Sequence, residues 1–392
     1  MYARQILPLL RNRAKLLPVV TVTGPRQSGK TTICRETFPD KPYVNLEQPD
    51  IREFAITDPR GFLSQFPDGA VLDEIQRTPD LLSWIQVNVD EKPAPGRFIL
   101  TGSQQLELAN GISQSLAGRT TLLKLLPLSI RELCQNKKMR AKTIDDFLYF
   151  GGYPRIHAQN ISPAIVLADY FETYIQRDLR SLMQIHNLSD FQRFVKISAG
   201  RIGQILSLQG LAGDVGISSH TASSWMSLLE MSYIVFRLPP WFSNVGKRLI
   251  KSPKLYFYDV GLAAWLLGIR KKEHLETHPL RGNLFENLMV LEALKHFYNN
   301  GTDSNLYFYR DSSGREVDLV LDAGNSITMA EIKSTQTVSA QMLKPIEAIQ
   351  KMLGDRLQKS ALICGVEASQ TRSAFDVVSY LSLSEWLEKN AF

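Results

Sequence analysis

The 392 residues, 44% hydrophobic and 21% charged, describe a folded globular chain too long for one ordinary core, so two or three domains are expected. Against 39 Asp and Glu, the 45 Lys and Arg leave a net charge of +6, a mildly basic balance that accommodates a nucleic-acid partner without requiring one. Three distant cysteines, Cys34, Cys134 and Cys364, exclude a disulfide framework and a paired-cysteine zinc site, and no apolar run approaches bilayer length; a cytoplasmic chain with no membrane partner is expected.

From Met1 to Val20, Arg4, Arg11, Arg13 and Lys15 mix with Leu and Ile at helical spacing, which predicts an amphipathic helix leading into a strand rather than a cleaved leader. Leu16 to Thr23 reads as a buried strand. Directly after it stands Gly24-Pro25-Arg26-Gln27-Ser28-Gly29-Lys30-Thr31-Thr32, a G-x-x-x-x-G-K-[ST] phosphate loop. Its glycines let the backbone turn tightly and aim N–H groups at phosphate oxygens, Lys30 neutralises β- and γ-phosphate charge, and the Thr31 hydroxyl is placed to hold Mg²⁺. The ligand implied is a nucleoside triphosphate.

Further on, Ala70 to Leu72 is a strand running into Asp73 and Glu74, the pattern that sets an Asp beside Mg²⁺ and a Glu next to it to orient and deprotonate water. That pair favours hydrolysis of ATP over mere binding. Arg97 to Ser103 is the next buried strand, whose polar tip, Thr101 or Ser103, would reach the γ-phosphate or the water between the two motifs. Arg119 precedes the apolar run Thr121 to Leu126 and is a candidate for stabilising transferred-phosphoryl charge, in its own subunit or across an interface. The strands Val19 to Thr23, Tyr43 to Leu46, Ala70 to Leu72, Phe98 to Leu100 and Leu122 to Leu126 alternate with helical stretches, which predicts a parallel sheet between helices.

Ser129 caps a short helix from Ile130 to Gln135, residues 136–142 read as a linker, and residues 145–187 are helix-rich apart from the break Gly151-Gly152-Tyr153-Pro154. Between Leu208 and Leu229 a short helix, a glycine turn, a Ser218 cap and a second helix with Trp225, Leu228 and Leu229 on its core face outline a helix-turn-helix. Strands at Tyr233 to Leu238 and Lys254 to Tyr258 around a basic loop would make it a winged helix. Ser219, His220, Thr221 and Ser224 would then face a DNA groove while Lys247, Arg248 and Lys251 hold phosphates; the alternative is a packing module. With no Arg, Asn or Gln among the groove residues, backbone contact is favoured over base reading.

The last third carries a set of carboxylates. Glu286 lies on an amphipathic helix, Asp318 on the strand Glu316 to Leu321, and Glu331 and Lys333 on the strand Ile327 to Lys333, two apart and so on one face. Carboxylates around an oxygen-liking divalent cation, with a lysine to position or activate water, are what phosphodiester hydrolysis requires. Ion pairing of Lys333 with Asp318 or Glu331 at a folded, inert site is the alternative.

Taken together, the phosphate loop, Val71 to Gln76, Ile99 to Ser103, Leu116 to Arg119, Phe150 to Pro154 and Lys254 to Asp259 resemble a widespread family of prokaryotic AAA-type ATPases. Its members carry a C-terminal domain of unknown function with a PD-(D/E)XK nuclease-like core. The resemblance spans nearly the whole chain. It implies an α/β fold class: a P-loop NTPase parallel sheet at 1–135, a helical segment at 136–190, a winged helix at 191–259 and a restriction-endonuclease-like α/β domain at 260–392. It also implies nucleotide roles for Lys30, Thr31, Asp73 and Glu74, a sensor role for Ser103, and nuclease-type positions for Glu286, Asp318, Glu331 and Lys333. Val317 stands where the motif's proline would be. The expected activity is Mg²⁺-dependent ATP hydrolysis coupled to DNA binding or processing; the alternative is an ATP-gated switch with an inactive C-terminal domain. ATP and DNA, the latter held mainly through its backbone, are the expected partners, with a homo-oligomer a further candidate.

Overall fold

The computed structural model describes residues 2–103, 115–136, 139–178, 187–242 and 252–390; Lys247, Arg248 and Lys251 lie outside them. Helix Leu7–Leu16, with Pro8 in its first turn, leads into β1 (Val19–Thr23). With β2 (Tyr43–Asn45), β3 (Val71–Asp73), β4 (Phe98–Gly102) and β5 (Thr120–Lys124) it forms a five-stranded, all-parallel sheet in the order β2-β3-β4-β1-β5.

Alternating side chains explain the two-sided burial. Val19, Leu72, Phe98 and Leu100 pack with Phe62, Leu82 and Ile85 on one face, while Val20, Val22, Val71 and Ile99 pack with Leu10 and Ile33 on the other. Helices therefore cover both faces, and the loops at the carboxyl ends of the strands share one edge. Because β4 lies between β1 and β3, its tip reaches both the phosphate loop and the acidic pair.

After β5 the chain enters short helices. Ser129 and Glu132 form a reciprocal capping box on helix Ile130–Cys134, as the Ser129 signal predicts. Gly151 (φ 62°) ends helix Ile144–Phe150 and turns the chain into helix Pro154–Ala158. Helix Leu188–Gly200, helix Leu208–Val215 and helix Ser219–Met231 follow; Ser207 and Ser218 cap the last two, and Gly216 (φ 84°) separates them. Trp225 packs edge-on against Phe191 and Phe194. β6 (Val235–Leu238) and β7 (Lys254–Phe257) then pair antiparallel.

Helix Arg281–Asn300 opens a six-stranded mixed sheet ordered β12-β13-β11-β10-β9-β8. β8 (Leu306–Arg310), β9 (Glu316–Asp322) and β10 (Ile327–Lys333) are antiparallel neighbours; β11 (Leu357–Cys364) runs parallel to β10 and to β13 (Asp376–Ser379), with β12 (Gln370–Thr371) at the edge. Helix Lys344–Leu353 packs on one face, and helices Arg281–Asn300 and Leu383–Asn390 on the other. One apolar core runs from Leu126 to Leu387, so the boundaries expected at 190/191 and 259/260 fall inside continuous packing.

Candidate functional site

β1 delivers the chain to the loop, and sterics dictate its glycines. A Cβ on Gly24 (φ 149°) would lie 2.1 Å from the Leu125 carbonyl oxygen of the neighbouring strand's exit, and Gly29 (φ 97°) starts helix Lys30–Thr37 from left-handed backbone. Lys30 is buried, its Nζ donating to the carbonyls of Gly24 (3.0 Å) and Pro25 (2.8 Å). Burial lowers its pKa to about 8, with Glu74 and Asp73 opposing the shift. Arg4, from the N-terminal segment, lines the cavity over the loop and braces the loop by donating to the carbonyls of Ser28 (2.7 Å) and Leu126 (2.6 Å) and to Glu132 Oε1 (3.1 Å). A cavity of about 670 Å³ opens over the loop; Gln27, Gly29, Lys30, Thr31, Thr32 and Glu74 line its phosphate end. Arg26 also faces it, pairing with Glu47 at 3.3 Å and stacking its guanidinium 5.2 Å from the centre of the Tyr174 ring.

The acidic pair meets the loop at the sheet edge. Thr31 Oγ1 donates to Asp73 Oδ2 (2.9 Å), Tyr43 OH donates to the same oxygen (2.6 Å), and Thr101 Oγ1 donates to Asp73 Oδ1. Burial, reinforced by the bond to Asp73, raises the Tyr43 pKa. The Thr31 hydroxyl and the Asp73 carboxylate are adjacent oxygen donors, the hard-ligand chemistry Mg²⁺ takes. Glu74 has left-handed backbone (φ 58°), unusual for a side-chain-bearing residue, and this turns its carboxylate to Ser103 Oγ (3.2 Å) and the Gln76 amide. Gln76 Nε2 also reaches Ser103 Oγ at 3.3 Å, while Gln76 Oε1 is buried without a partner.

Arg4, Tyr43 and Gln76 escaped the sequence reading. Gln76 had a signal, an amide two residues beyond the candidate base; Arg4 had none. The structure does not bring Arg119 to this edge. It precedes β5, its carbonyl accepts from Val19 N (3.1 Å) at the start of β1, and its guanidinium grips Asp90 (2.5 and 2.8 Å) at the opposite edge of the sheet. On helix Ser219–Met231, Ser219 and His220 are exposed, and Thr221 and Ser224 are half-buried.

The C-terminal carboxylates do converge, with lysines between them. Lys333 Nζ donates to Asp318 Oδ2 (3.0 Å) and Glu331 Oε2 (2.8 Å), and Ile332 N donates to Asp318 Oδ2 (2.9 Å). Lys254, absent from the sequence-derived set, brings its Nζ from β7 to Glu286 Oε1 (2.8 Å) and Glu316 Oε1 (2.5 Å). Burial raises the pKa of Glu286 and Glu331, and Asp318 adds to both shifts. For both lysines burial works against the charge, but the surrounding carboxylates prevail and raise their pKa. Among the described residues, no group of three or more His, Cys, Asp or Glu is arranged to hold a metal ion. Nor is any described helix long and apolar enough to cross a membrane.

Comparison with known proteins divides the chain in three. Residues 17–134 match the AAA domain family, residues 141–273 a domain of unknown function (DUF8612), and residues 281–386 another (DUF4143). Among solved structures, the Walker-type ATPase PABY2304 of Pyrococcus abyssi is similar at 13% identity, covering 68% of this chain and 96% of that one with a TM-score of 0.45. The uncharacterized proteins Rv2008c of Mycobacterium tuberculosis and Mb2031c of Mycobacterium bovis are each 33% identical over 332 residues, 84% of this chain and 73% of theirs. An uncharacterized Haemophilus influenzae protein is 23% identical over 215 residues, 52% of either chain. The protein therefore belongs to the family of these two mycobacterial chains, and its first third is an AAA-type P-loop domain.

Proposed function

We propose that the protein is a Mg²⁺-dependent ATP hydrolase whose nucleotide state is passed to its helical and C-terminal parts. The observation that carries this reading is the meeting of Lys30, Thr31, Asp73 and Glu74 at one sheet edge, with Ser103 beside them. Lys30 exchanges its two loop carbonyls for β- and γ-phosphate oxygens, and the N–H groups of residues 26–32 cradle the phosphates. Thr31 and Asp73 would hold Mg²⁺, which when bound neutralises charge on the β- and γ-oxygens. Glu74 accepts a proton from the attacking water, and Ser103 and Gln76 orient its carboxylate.

Buried bonds support the transmission. Thr23 Oγ1, where β1 meets the loop, is 2.8 Å from the Tyr233 hydroxyl just before β6. Leu128, which lines the cavity, accepts at its carbonyl from Lys295 (2.8 Å), and Glu292 accepts from Ile130 N (2.8 Å); both charged residues lie on helix Arg281–Asn300. Leu128 N donates to Gly152 O, and Gly152 N donates to Asp259 (2.7 Å), the cap of helix Val260–Leu266. The reading of residues 191–259 as a winged helix makes the exposed start of helix Ser219–Met231 the DNA-facing edge, with backbone rather than base contacts. A homo-oligomer would let the edge-mounted Arg119 of one copy serve the loop of the next.

Phosphate release from ATP by the purified chain tests the core of this reading. Lys30→Ala is expected to abolish nucleotide binding, and Glu74→Gln to keep binding while losing turnover by at least about a hundredfold. Undiminished turnover in Glu74→Gln would remove Glu74 as the base.

A further inference from the structure

Lys254 is only 2% exposed, although a lysine is almost never fully buried unless paired. It belongs to β7, outside the C-terminal sheet, yet its ammonium lies among that unit's carboxylates: 2.8 Å from Glu286, 2.5 Å from Glu316 and 3.8 Å from Asp318 Oδ1. The Glu286 contact is a charge-assisted hydrogen bond of an ammonium, which offers three donors, and the Glu316 contact is a close ion pair. Lys333 takes the other oxygen of Asp318 and one of Glu331, and Arg310 takes the second oxygen of Glu316 at 3.2 Å. Four carboxylates thus meet three cations supplied by the chain itself.

The backbone holding Lys254 is fastened on both sides. It pairs with Leu238 of β6, bridges to Ile205, and is followed by Phe257, whose N–H and carbonyl are both bound by the Asn287 amide on helix Arg281–Asn300 (2.6 and 3.0 Å). Tyr256 OH adds a bond to Glu286 Oε1 (2.5 Å). A divalent ion entering here would have to displace this ammonium and leave it buried without a partner, an arrangement proteins avoid. Glu331 Oε1 is the one oxygen of the set buried without a partner, and a single oxygen is too few for a cation that takes six or more.

We propose that the carboxylate set of the C-terminal unit does not hold a divalent cation, because the Lys254 ammonium occupies the cation's position. The set is an ionic joint that fastens the β6–β7 pair to helix Arg281–Asn300 and to β9. Mg²⁺-dependent phosphodiester cleavage at Asp318, Glu331 and Lys333 is then absent from the protein as it stands, whatever the AAA domain does with ATP. The joint also ties the two units together at one point, since a single Lys254 ammonium on β7 reaches both Glu286 and Glu316.

Counting bound Mn²⁺ by electron paramagnetic resonance on the full chain without nucleotide tests this. Asp318→Asn is expected to leave the wild-type count unchanged, because Asp318 contributes to no ion site. Lys254→Ala opens the cage and is expected to bind one additional Mn²⁺, lost again when Asp318→Asn is combined with it. A wild-type count that falls by one in Asp318→Asn overturns the proposal, as does a folded Lys254→Ala with no added ion. If Lys254→Ala does not fold, the comparison of wild type with Asp318→Asn decides alone.

Discussion

Acidification should loosen the wall of the nucleotide cavity through one imidazole. His157 is 5% exposed on helix Pro154–Ala158, flanked by Pro154 and Ala158, which line the cavity. Its Nε2 bonds Gly151 O at 2.8 Å, its Nδ1 is buried without a partner, and the rings of Phe150 and Tyr2 stand edge-on to it. Burial holds its pKa down to about 4, with Arg140 and Lys295 adding to the shift against the bond to Gly151. In the unfolded chain the same group titrates near its ordinary value of about 6.5. Between these values the unfolded state binds the extra proton, so stability is full above about pH 6.5, falls as pH drops from there toward 4, and levels off below 4. From pH 7 to pH 4.5 the loss from this group is about 2.5 kcal/mol. Urea unfolding at both pH values, in wild type and in His157→Gln, isolates it. Gln retains an amide donor for Gly151 O, so the variant should lose about 2.5 kcal/mol less than wild type over the interval. Parallel losses in the two proteins would refute the assignment of a neutral, buried His157.

The other predictions concern charge and the acidic pair. Gln76→Ala should lower kcat about tenfold with little change in KM, because it removes the amide that orients Glu74 and touches no phosphate; equal kcat would make Gln76 a packing residue. Lys295→Met leaves Glu292 buried and the Leu128 carbonyl without its ammonium, and should cost about 3–5 kcal/mol of stability by chemical denaturation. Arg119→Ala should leave ATP turnover at low protein concentration within about twofold of wild type, since Arg119 is half-exposed and far from the loop; a fall that appears only at concentrations where copies associate would assign it a role across an interface.

The phosphate loop and the acidic pair were legible because each is set by a short run of chain. A strand, a glycine turn and a helix start place Lys30 and Thr31, and the strand end places Asp73 and Glu74. Arg119 shows the limit of that reading. Its neighbourhood identified a strand, but only the pairing of Val19 with Thr120 reveals that the arginine stands before β5 and so at the edge away from the loop. Arg4 and Lys254 were illegible for a different reason: their partners lie 24 to 128 and 32 to 64 positions away, and a basic residue on a helical or strand-like run reads as a solvated charge. The boundaries at 190/191 and 259/260 followed changes in local periodicity. Periodicity registers which face of an element is apolar, not which neighbour covers it, and Leu211, Leu229, Leu262 and Leu288 prove to share one interior.

That shared interior bears on how such a chain can be inherited. Gly261 lies so close to the Gly151 amide that a Cβ would stand 2.8 Å from its nitrogen, and Leu284, Leu288 and Leu291 belong to the same packing as residues before Val260. A gene fusion that transplanted only residues 281–386 would carry a bare greasy flank into its new host. Recombination should therefore transmit everything beyond Leu126 as a single heirloom, with workable seams confined to the AAA side.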